Sequence, residues 1–265
     1  MEIVAPASSA NLGPGFDALG LAVDLPFRAG FDGQPAEETH PAVVAFRSWG
    51  GTGPLSFRSP IPPGRGLGFS AAARVAGLGA AAVQRGADLD DVRLDVFRRA
   101  TELEGHPDNA APSAFGGLTV SAGDRAIPVP LAIDVVVVAW VPAQGSTSTA
   151  KSRAALPQQV PFADAVFNIG RSALLLAALT TGDLGALRDA TDDRLHQQQR
   201  LANVPASRAA LEVLRPRTLA SWLSGSGPTV AALARREEVD GLDDGLPEGR
   251  LLVLDLDHGG VRIEG

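Results

Sequence analysis

The stretch PPGRGLGFSAAA, residues 62–73, decides how this sequence is interpreted. Three glycines, Gly64, Gly66 and Gly68, lead into an alanine-rich segment that predicts a helix to about residue 84. Glycine permits backbone angles and close approaches that a Cβ atom forbids. The first turn of a helix also has unpaired N–H donors at the positive end of its dipole. The stretch therefore predicts either an anion site, with phosphate as its natural ligand, or a tight turn that starts a helix close to a sheet.

The composition is that of an ordinary globular protein. The 265 residues, 45% of them hydrophobic and 20% charged, suffice for a large core in one large domain or two small ones. The formal net charge of −7 gives no basic footprint, so we expect no nucleic acid as the principal ligand. The chain has no cysteine, which excludes a disulfide framework, a thiolate zinc site and a cysteine nucleophile.

Neither the N-terminus nor the apolar runs indicate export or a membrane. Residues 1–7 contain Glu2 and lack the basic region and apolar run of a secretory signal. The apolar runs at 135–141 and 174–179 are far shorter than a membrane span. We therefore expect a cytoplasmic protein that does not bind a membrane.

The remaining sequence predicts a mixture of strands and helices. We expect strands at 19–27, 118–121, 134–142 and 250–255, and helices at 40–49, 90–103, 162–180 and 184–195. Arg194, His196 and Arg200 should cluster at the end of the last of these helices. No long linker is present, and the best candidate for a domain division lies near residues 123–127.

Three further loops place polar residues beside glycines. One carries Asn11 and Asp17, a second carries the cluster His106, Asp108 and Asn109, and a third is the SGSG segment at 224–227. Each alone is compatible with an ordinary turn or helix cap, although a His-x-Asp-Asn cluster also suits a metal or phosphoryl-transfer site. Because three independent turns beside strands explain the pattern poorly, we expect the loops to converge on one ligand.

Taken in order, the motifs PASSANLGPGFDALGLA, PPGRGLGFSAAA, EGHPDNAAPSAFGG and SGSGPTVAAL resemble those of the GHMP kinase superfamily and, within it, the homoserine kinases. The likeness covers the full chain, since STAKSRAALP and DRLHQQQR also resemble that family. It implies an α+β, two-domain GHMP kinase fold with the site in the cleft between the domains. Residues 1–122 would form a part like the second domain of ribosomal protein S5. Residues 123–265 would form a ferredoxin-like α/β part, with a soft boundary that the chain ends can cross.

The resemblance also implies an activity. It predicts an enzyme that uses ATP and Mg²⁺ to phosphorylate the hydroxyl of L-homoserine on the route to threonine, and it leaves a homodimer open. Two alternatives remain, a GHMP kinase for another small alcohol and a catalytically weak binding protein. Phe69, where the family usually has a serine, and a short segment between residues 27 and 40 favour the second alternative.

Residue roles follow from the resemblance position by position. The loop would contact ATP through Pro63, Gly64, Arg65, Gly66, Leu67, Gly68, Ser70 and Ala71. The metal partners would be Ser70 and Glu102. The substrate would be bound by Asn11, Asp17, His106, Asp108, Asn109, Arg153, Arg200 and Gly225. Within that set, Asp17 would meet the ammonium group, and the two arginines would hold the carboxylate. Catalysis would involve Thr149 beside the phosphoryl group, Asp108 as proton acceptor and Arg153.

Overall fold

The computed structural model describes residues 1–265, whose strands form two antiparallel sheets. The strands are β1 (Glu2–Ala10), β2 (Leu19–Gly30), β3 (Ser56–Arg58), β4 (Leu118–Ala122), β5 (Arg125–Val129), β6 (Val136–Pro142), β7 (Ala220–Leu223), β8 (Val230–Ala234), β9 (Gly249–Leu254) and β10 (Arg262–Glu264). The first sheet has the order β10-β1-β2-β4-β5, and β3 pairs with β2. The second sheet has the order β7-β8-β6-β9.

Helices cover both sheets. Those of the N-terminal half are α1 (Pro41–Ser48), α2 (Phe69–Gln84), α3 (Leu89–Glu104) and α4 (Ala110–Phe115). Those of the C-terminal half are α5 (Thr149–Ala154), α6 (Phe162–Thr181), α7 (Leu187–Ala190), α8 (Gln197–Leu201) and α9 (Pro205–Leu214). The predicted helices at 40–49, 90–103 and 162–180 are confirmed within about two residues, as is the helix that follows the glycine loop.

Helix α2 lies at the centre of the N-terminal half. It packs against β1, β2, α1, α3 and α4, and its residues from 71 to 82 are buried on nearly every side. Alanine and glycine make this possible because their small side chains let neighbouring elements approach from all directions. The position of the helix start, and hence of the glycine loop before it, is therefore fixed by the core.

Strand β6 explains why the run VVVV is apolar without alternation. Val137 and Ala139 face the main core, which also contains Leu175 of α6, whereas Val138 and Trp140 face a smaller cluster that involves α9. A strand buried on both faces has no polar side to show in its sequence. The prediction of a buried strand at this place is confirmed.

The predicted helix at 184–195 is wrong. Only α7 and α8 are helical in this region, and the segment between them is irregular. The carboxylate of Asp193 accepts hydrogen bonds from the backbone N–H groups of Leu195, His196 and Gln197. This side chain binds the N–H of Gln197, the first residue of α8, and those of the two residues before it, so the backbone here turns and does not continue the helix of α7.

The change of sheet falls later in the chain than residues 123–127. Strand β5 overlaps residues 123–127 and pairs with β4 of the first sheet, so the crossing to the second sheet occurs between Val129 and Val136. Near the C-terminus, β10 returns to pair with β1, which is a crossing of the chain end as expected above. The division into residues 1–122 and 123–265 stays a prediction.

Helix α6 is more apolar than the sequence segment 174–179 suggested. It has 20 residues, with a mean hydropathy of 1.4 over the best window, of which 22% is buried. By length and composition alone α6 could cross a membrane, although the apolar run at 174–179 within it is short. Its inner face is polar in part, because the Asn168 amide donates to the Pro14 carbonyl at 3.2 Å and to Asp193 at 2.7 Å. That face anchors loops of the protein, and the outer face is exposed.

Buried hydrogen bonds join the two sheets beside the glycine loop. The indole N–H of Trp222, on β7, donates to the Ser9 hydroxyl, on β1, at 2.9 Å. The Ser9 and Ser224 hydroxyls are 2.8 Å apart, and the Ser224 hydroxyl also donates to the Gly66 carbonyl at 2.6 Å. The glycine loop and both sheets therefore share one buried network.

Candidate active site

One cleft receives side chains or backbone from all four sequence motifs. It has a volume of about 130 Å³ and is lined by 18 residues, of which two are hydrophobic. Its walls are the loop after β1, the glycine loop with the start of α2, the segment between α3 and α4, α5 with the loop before it, α8, and the loop between β7 and β8. The volume is below the roughly 300–1,000 Å³ of drug-sized ligand sites. The enclosed part suits a small, strongly polar ligand.

The glycines of the loop adopt backbone angles that other residues avoid. Gly64, Gly66 and Gly68 have φ values of 67°, 81° and 67°. A Cβ atom on Gly66 would lie 2.4 Å from the Ser224 carbonyl oxygen, so only glycine permits this contact with the loop between β7 and β8. The conformation brings loop backbone, rather than side chains, to the cleft.

The start of α2 is open to an anion. Its capping residue, Gly68, supplies no side-chain hydrogen bond to the first turn, and no acidic residue lies in that turn. The first N–H groups of a helix have no partner within the helix and lie at the positive end of its dipole. Phosphate is the ligand that such an arrangement binds in many proteins.

Phe69 packs away from this helix start into an aromatic cluster. Its ring centroid lies 5.7 Å from that of Phe27 in an edge-on arrangement and 5.9 Å from that of His40. Phe57 stacks on His40 at 4.0 Å. The aromatic residue at this position thus has a packing role, while it also borders the cleft.

The loop after β1 is locally strained. Asn11, Leu12 and Asp17 have φ values of 71°, 49° and 57°, which are uncommon for residues other than glycine. The Asn11 amide donates to the Gly225 carbonyl at 3.0 Å, and its oxygen accepts from the Asp17 N–H at 3.1 Å. Strain of this kind persists where surrounding contacts enforce it, and it concentrates at functional sites.

Asp17 and Arg153 form a bidentate ion pair across the cleft. Nη1 of Arg153 donates to Asp17 Oδ2 at 2.9 Å, and Nη2 donates to Oδ1. About a third of each side chain is exposed. The hydrogen bond to Asp17 raises the pKa of Arg153. The two groups therefore neutralise each other while both border the cleft.

Arg200 is buried without a carboxylate partner. It is 5% exposed, and burial, followed by the repulsion of Arg153, lowers its pKa. Its Nη1 donates to the Gly225 carbonyl at 2.9 Å and lies 3.3 Å from Nδ1 of His196, whereas its buried Nε has no partner. A buried charge is costly unless it is paired. The cleft therefore favours an anion at Arg200.

His106, Asp108 and Asn109 form a hydrogen-bonded cluster. Nδ1 of His106 lies 2.8 Å from Asp108 Oδ1, and the Asn109 amide donates to the same oxygen at 3.3 Å. Burial alone would lower the pKa of His106, but the hydrogen bond and charge of Asp108 outweigh it, and the pKa is raised. The Ser8 hydroxyl donates to Asn109 Oδ1 at 2.9 Å, which ties the cluster to β1.

Two family models match the chain. The GHMP kinase N-terminal domain matches residues 39–117, and the GHMP kinase C-terminal domain matches residues 175–246. The chain belongs to the GHMP kinase family.

Similar proteins support this assignment over the whole length. The homoserine kinase of Thermus thermophilus is 41% identical over 293 aligned positions, which cover 97% of each protein. The homoserine kinase of Mycolicibacterium smegmatis is 42% identical, covering 87% of this chain and 84% of that one. The crystal structure of homoserine kinase from Cytophaga hutchinsonii matches with a TM-score of 0.81 at 22% identity, covering 99% of this chain and 96% of that one. The GHMP kinase fold that the motifs predicted is confirmed.

Most of the residues chosen from the sequence of this GHMP kinase lie together. Those that line the cleft are Asn11, Asp17, Gly64, Gly66, Gly68, Ser70, Ala71, His106, Asp108, Asn109, Thr149, Arg153, Arg200 and Gly225.

Three loop residues do not line the cleft. Pro63 is exposed outside it, and Leu67 is buried in the core at 1% exposure. Arg65 donates to the Pro142 carbonyl and, at 3.4 Å, to that of Ala143. The side chains of this loop face the protein because its backbone faces the cleft.

Glu102 is also outside the cleft, whereas Glu104 lines it. The Ser70 hydroxyl donates to Glu104 Oε1 at 2.7 Å, whereas Glu102 is exposed on the other side of α3. Glu104 follows the buried Phe97 and Ala100 at helical spacing, so it belongs to the face of α3 that packs on the protein. This periodicity was the signal that could have identified it.

Sequence reasoning also missed Thr147 and Ser226, which line the cleft. Thr147 donates its backbone N–H to the Gly64 carbonyl at 3.0 Å and its hydroxyl to the Gly227 carbonyl. Both residues lie in hydroxyl-rich segments next to predicted site residues, and that adjacency was the available signal.

Proposed function

We propose that this chain is a homoserine kinase, which transfers the γ-phosphate of ATP to the hydroxyl of L-homoserine and gives O-phospho-L-homoserine for threonine biosynthesis. The observation that carries the proposal is a single small cleft with an open helix start at one end and Asp17, Arg153 and Arg200 at the other. The first suits phosphate, and the second suits a zwitterion with a carboxylate. The homoserine kinases that cover the whole chain support the choice of amino acid. The cytoplasmic setting expected from the sequence belongs to this proposal, because ATP is available there.

On binding, the amino acid would replace the ion pair between Asp17 and Arg153 with two new ion pairs of its own. Its ammonium group would take the place of the Arg153 guanidinium at Asp17. Its carboxylate would take the place of Asp17 at Arg153 and would give the buried Arg200 the anion that it lacks. Each charge in the site would then remain paired after binding, which limits the cost of desolvation.

The phosphates would lie on the glycine loop. The backbone of Gly64, Gly66 and Gly68 and the first N–H groups of α2 would donate to phosphate oxygens, with Ser70 and Ala71 in that first turn. Phosphoryl transfer needs positioning and charge stabilisation more than strong bases. A rigid loop fixed by both sheets meets that need.

In the transfer step, the substrate hydroxyl oxygen forms a bond to the γ-phosphorus as the bond from that phosphorus to ADP breaks. Asp108, which is held by His106 and Asn109, is the carboxylate in the cleft that would accept the hydroxyl proton. Thr149 and Arg153 would border the transferring group from α5.

Ser70 and Glu104 would hold Mg²⁺, directly or through water. Their oxygens lie 2.7 Å apart at the start of α2, and hydroxyl and carboxylate oxygens are ligands that this ion prefers. Arg74 also donates to Glu104 Oε1, so the ion would take that oxygen in place of the guanidinium. When bound, the ion would neutralise negative charge on the β- and γ-phosphates.

A coupled assay of ADP release with L-homoserine, L-serine and mevalonate tests the proposed function. We expect kcat/KM for homoserine to exceed that for mevalonate by at least about 100-fold, because mevalonate has no ammonium group to pair with Asp17. L-Serine pairs the same charges, but its hydroxyl is one methylene closer to them, so we expect its kcat/KM to be lower by roughly 10- to 200-fold. Faster turnover of mevalonate would favour a different small alcohol. Binding of homoserine with no ADP release would favour a binding protein.

Arg200→Ala should separate the two substrates. We expect KM for homoserine to rise roughly 10- to 100-fold, because a buried charge-assisted contact is lost, with KM for ATP changed less than about twofold. Arg194→Ala is the matched control, since Arg194 is half exposed, pairs with Asp164 and does not line the cleft. Equal effects on both Michaelis constants would contradict the carboxylate role.

Glu104→Gln should weaken the response to metal. We expect the Mg²⁺ concentration for half-maximal activity to rise about tenfold, in the range found when a group that orients or binds a metal is altered. Glu102→Gln is the matched control, two residues away and exposed. If the two variants respond alike to Mg²⁺, Glu104 has no role toward the metal.

We also propose that the protein is a homodimer joined through the outer face of α6. Phe162, Val166 and Ile169 are 85%, 52% and 70% exposed, and their i, i+4, i+7 spacing forms one apolar stripe. Contiguous exposed apolar residues of this kind mark an interaction surface.

A second copy is the partner that fits this surface. A two-fold axis presents the same patch twice, so each stripe, with the small residues beside it such as Gly170, would pack against its counterpart. An antiparallel crossing centred on Val166 would set Phe162 of one copy opposite Gly170 of the other, where no side chain obstructs it.

Ile169→Glu should convert the dimer to a monomer. Each subunit would place a charge in the apolar contact, which we expect to weaken association at least about 100-fold, as measured by sedimentation across a concentration series. Leu94→Glu is the control, because Leu94 is 41% exposed on α3, away from the stripe. A monomeric wild-type protein, or an Ile169→Glu variant as dimeric as the control, would contradict the interface.

A further inference from the structure

Phe16 contacts both arginines of the cleft without lining it. Its ring centroid lies 5.3 Å from Cζ of Arg153 and 5.1 Å from Cζ of Arg200, and the His196 ring lies 5.1 Å away. The residue is partly buried and directly precedes Asp17 in the strained loop after β1. None of the roles described above involves this ring.

The two guanidinium groups need something to hold them near each other. They come from α5 and α8, and the charge of Arg153 contributes, after burial, to the lowered pKa of Arg200. Of these two arginines, only Arg153 donates hydrogen bonds to Asp17. Arg200 instead contacts the Gly225 carbonyl and His196. The electron-rich face of an aromatic ring attracts cations within about 6 Å, and Phe16 is the one ring that meets both.

The ring also limits where Arg153 can go when a ligand enters. The Arg153 guanidinium is bound to Asp17, and binding of an amino acid would take that partner away. A guanidinium with a long, flexible stem loses affinity if it must be reordered at each binding event. A ring fixed in the loop keeps it beside Arg200.

We propose that Phe16 is a positioning residue that holds Arg153 and Arg200 together as one carboxylate site and thereby favours substrates that carry a carboxylate. The assignment rests on the proposed function for the role of the two arginines. It predicts a larger effect on KM for the amino acid than on KM for ATP, because the ring contacts the two arginines assigned to the carboxylate.

Phe16→Leu and Phe16→Tyr separate the effect of the aromatic ring from the effect of the volume that it fills. Leucine keeps an apolar side chain but removes the ring, so KM for homoserine should rise about tenfold, with KM for ATP within about twofold of wild type. We expect kcat to fall by a smaller factor, because Arg153 also borders the transferring group. Tyrosine keeps the ring and should remain within about twofold of wild type in all three constants.

Phe167→Leu is a matched control elsewhere in the chain. Its ring lies under Arg171 and Arg194, at 4.9 and 3.9 Å, and neither arginine lines the cleft. Loss of that ring should leave KM for homoserine unchanged. Equal effects of Phe16→Leu and Phe16→Tyr, or of Phe16→Leu and Phe167→Leu, would overturn the proposal, as would an unchanged KM in Phe16→Leu.

Calorimetric titration with L-homoserine separates this proposal from the proposed function. If wild type binds homoserine but releases no ADP, the kinase assignment fails, and the order of affinities among the Phe16 variants still decides the role of the ring. If wild type does not bind homoserine, both fail. Should Phe16→Leu not fold, Phe16→Met offers a flexible apolar side chain without a ring, and the same tenfold loss is expected.

Discussion

The site depends on a positive charge that the protein buries without neutralising it. Arg200 is 5% exposed, has no carboxylate partner and keeps an unpartnered Nε. The cost of such a group is lowest when an anion occupies the cleft, because charge and hydrogen-bond donors are then satisfied together. The neighbouring Asp17 and Arg153, in contrast, neutralise each other. The ammonium group of a zwitterion can pair with Asp17 and its carboxylate with Arg153, so that both charges stay paired. Together these groups select for an amino acid before any contact with its side chain is considered.

The rest of the structure holds these charged groups at a fixed position relative to the glycine loop. Buried hydrogen bonds among Ser9, Trp222 and Ser224 join the two sheets. The Ser224 carbonyl oxygen also lies so close to Gly66 that a Cβ atom there would clash with it. From the other side, the inner face of α6 holds the Pro14 carbonyl through Asn168. The glycine loop and the loop that carries Asp17 are thereby fixed to one core, which would suit transfer between two substrates.

Local sequence patterns predicted the parts of this site that are local. Glycine spacing located the loop and the helix after it, and turn chemistry located Asn11, Asp17 and the His106 cluster. The helix predicted at 184–195 fails for a local reason, since the Asp193 carboxylate accepts hydrogen bonds from the N–H groups just before and at the start of α8. A local pattern also marks Glu104, which shares the inner face of α3 with Phe97 and Ala100. The bond between Arg153 and Asp17 joins residues 136 positions apart, and β5 becomes part of the first sheet only through its pairing with β4. Pairings of that kind depend on tertiary packing, which no short pattern encodes.

A crystal structure of the protein with L-homoserine and a non-hydrolysable ATP analogue tests the central claim most directly. We expect the Asp17–Arg153 bond to be broken, with the substrate ammonium at Asp17 and its carboxylate between Arg153 and Arg200. The substrate hydroxyl should face the γ-phosphate above the start of α2. An intact Asp17–Arg153 pair with homoserine bound elsewhere, or a carboxylate that does not touch Arg200, would contradict it.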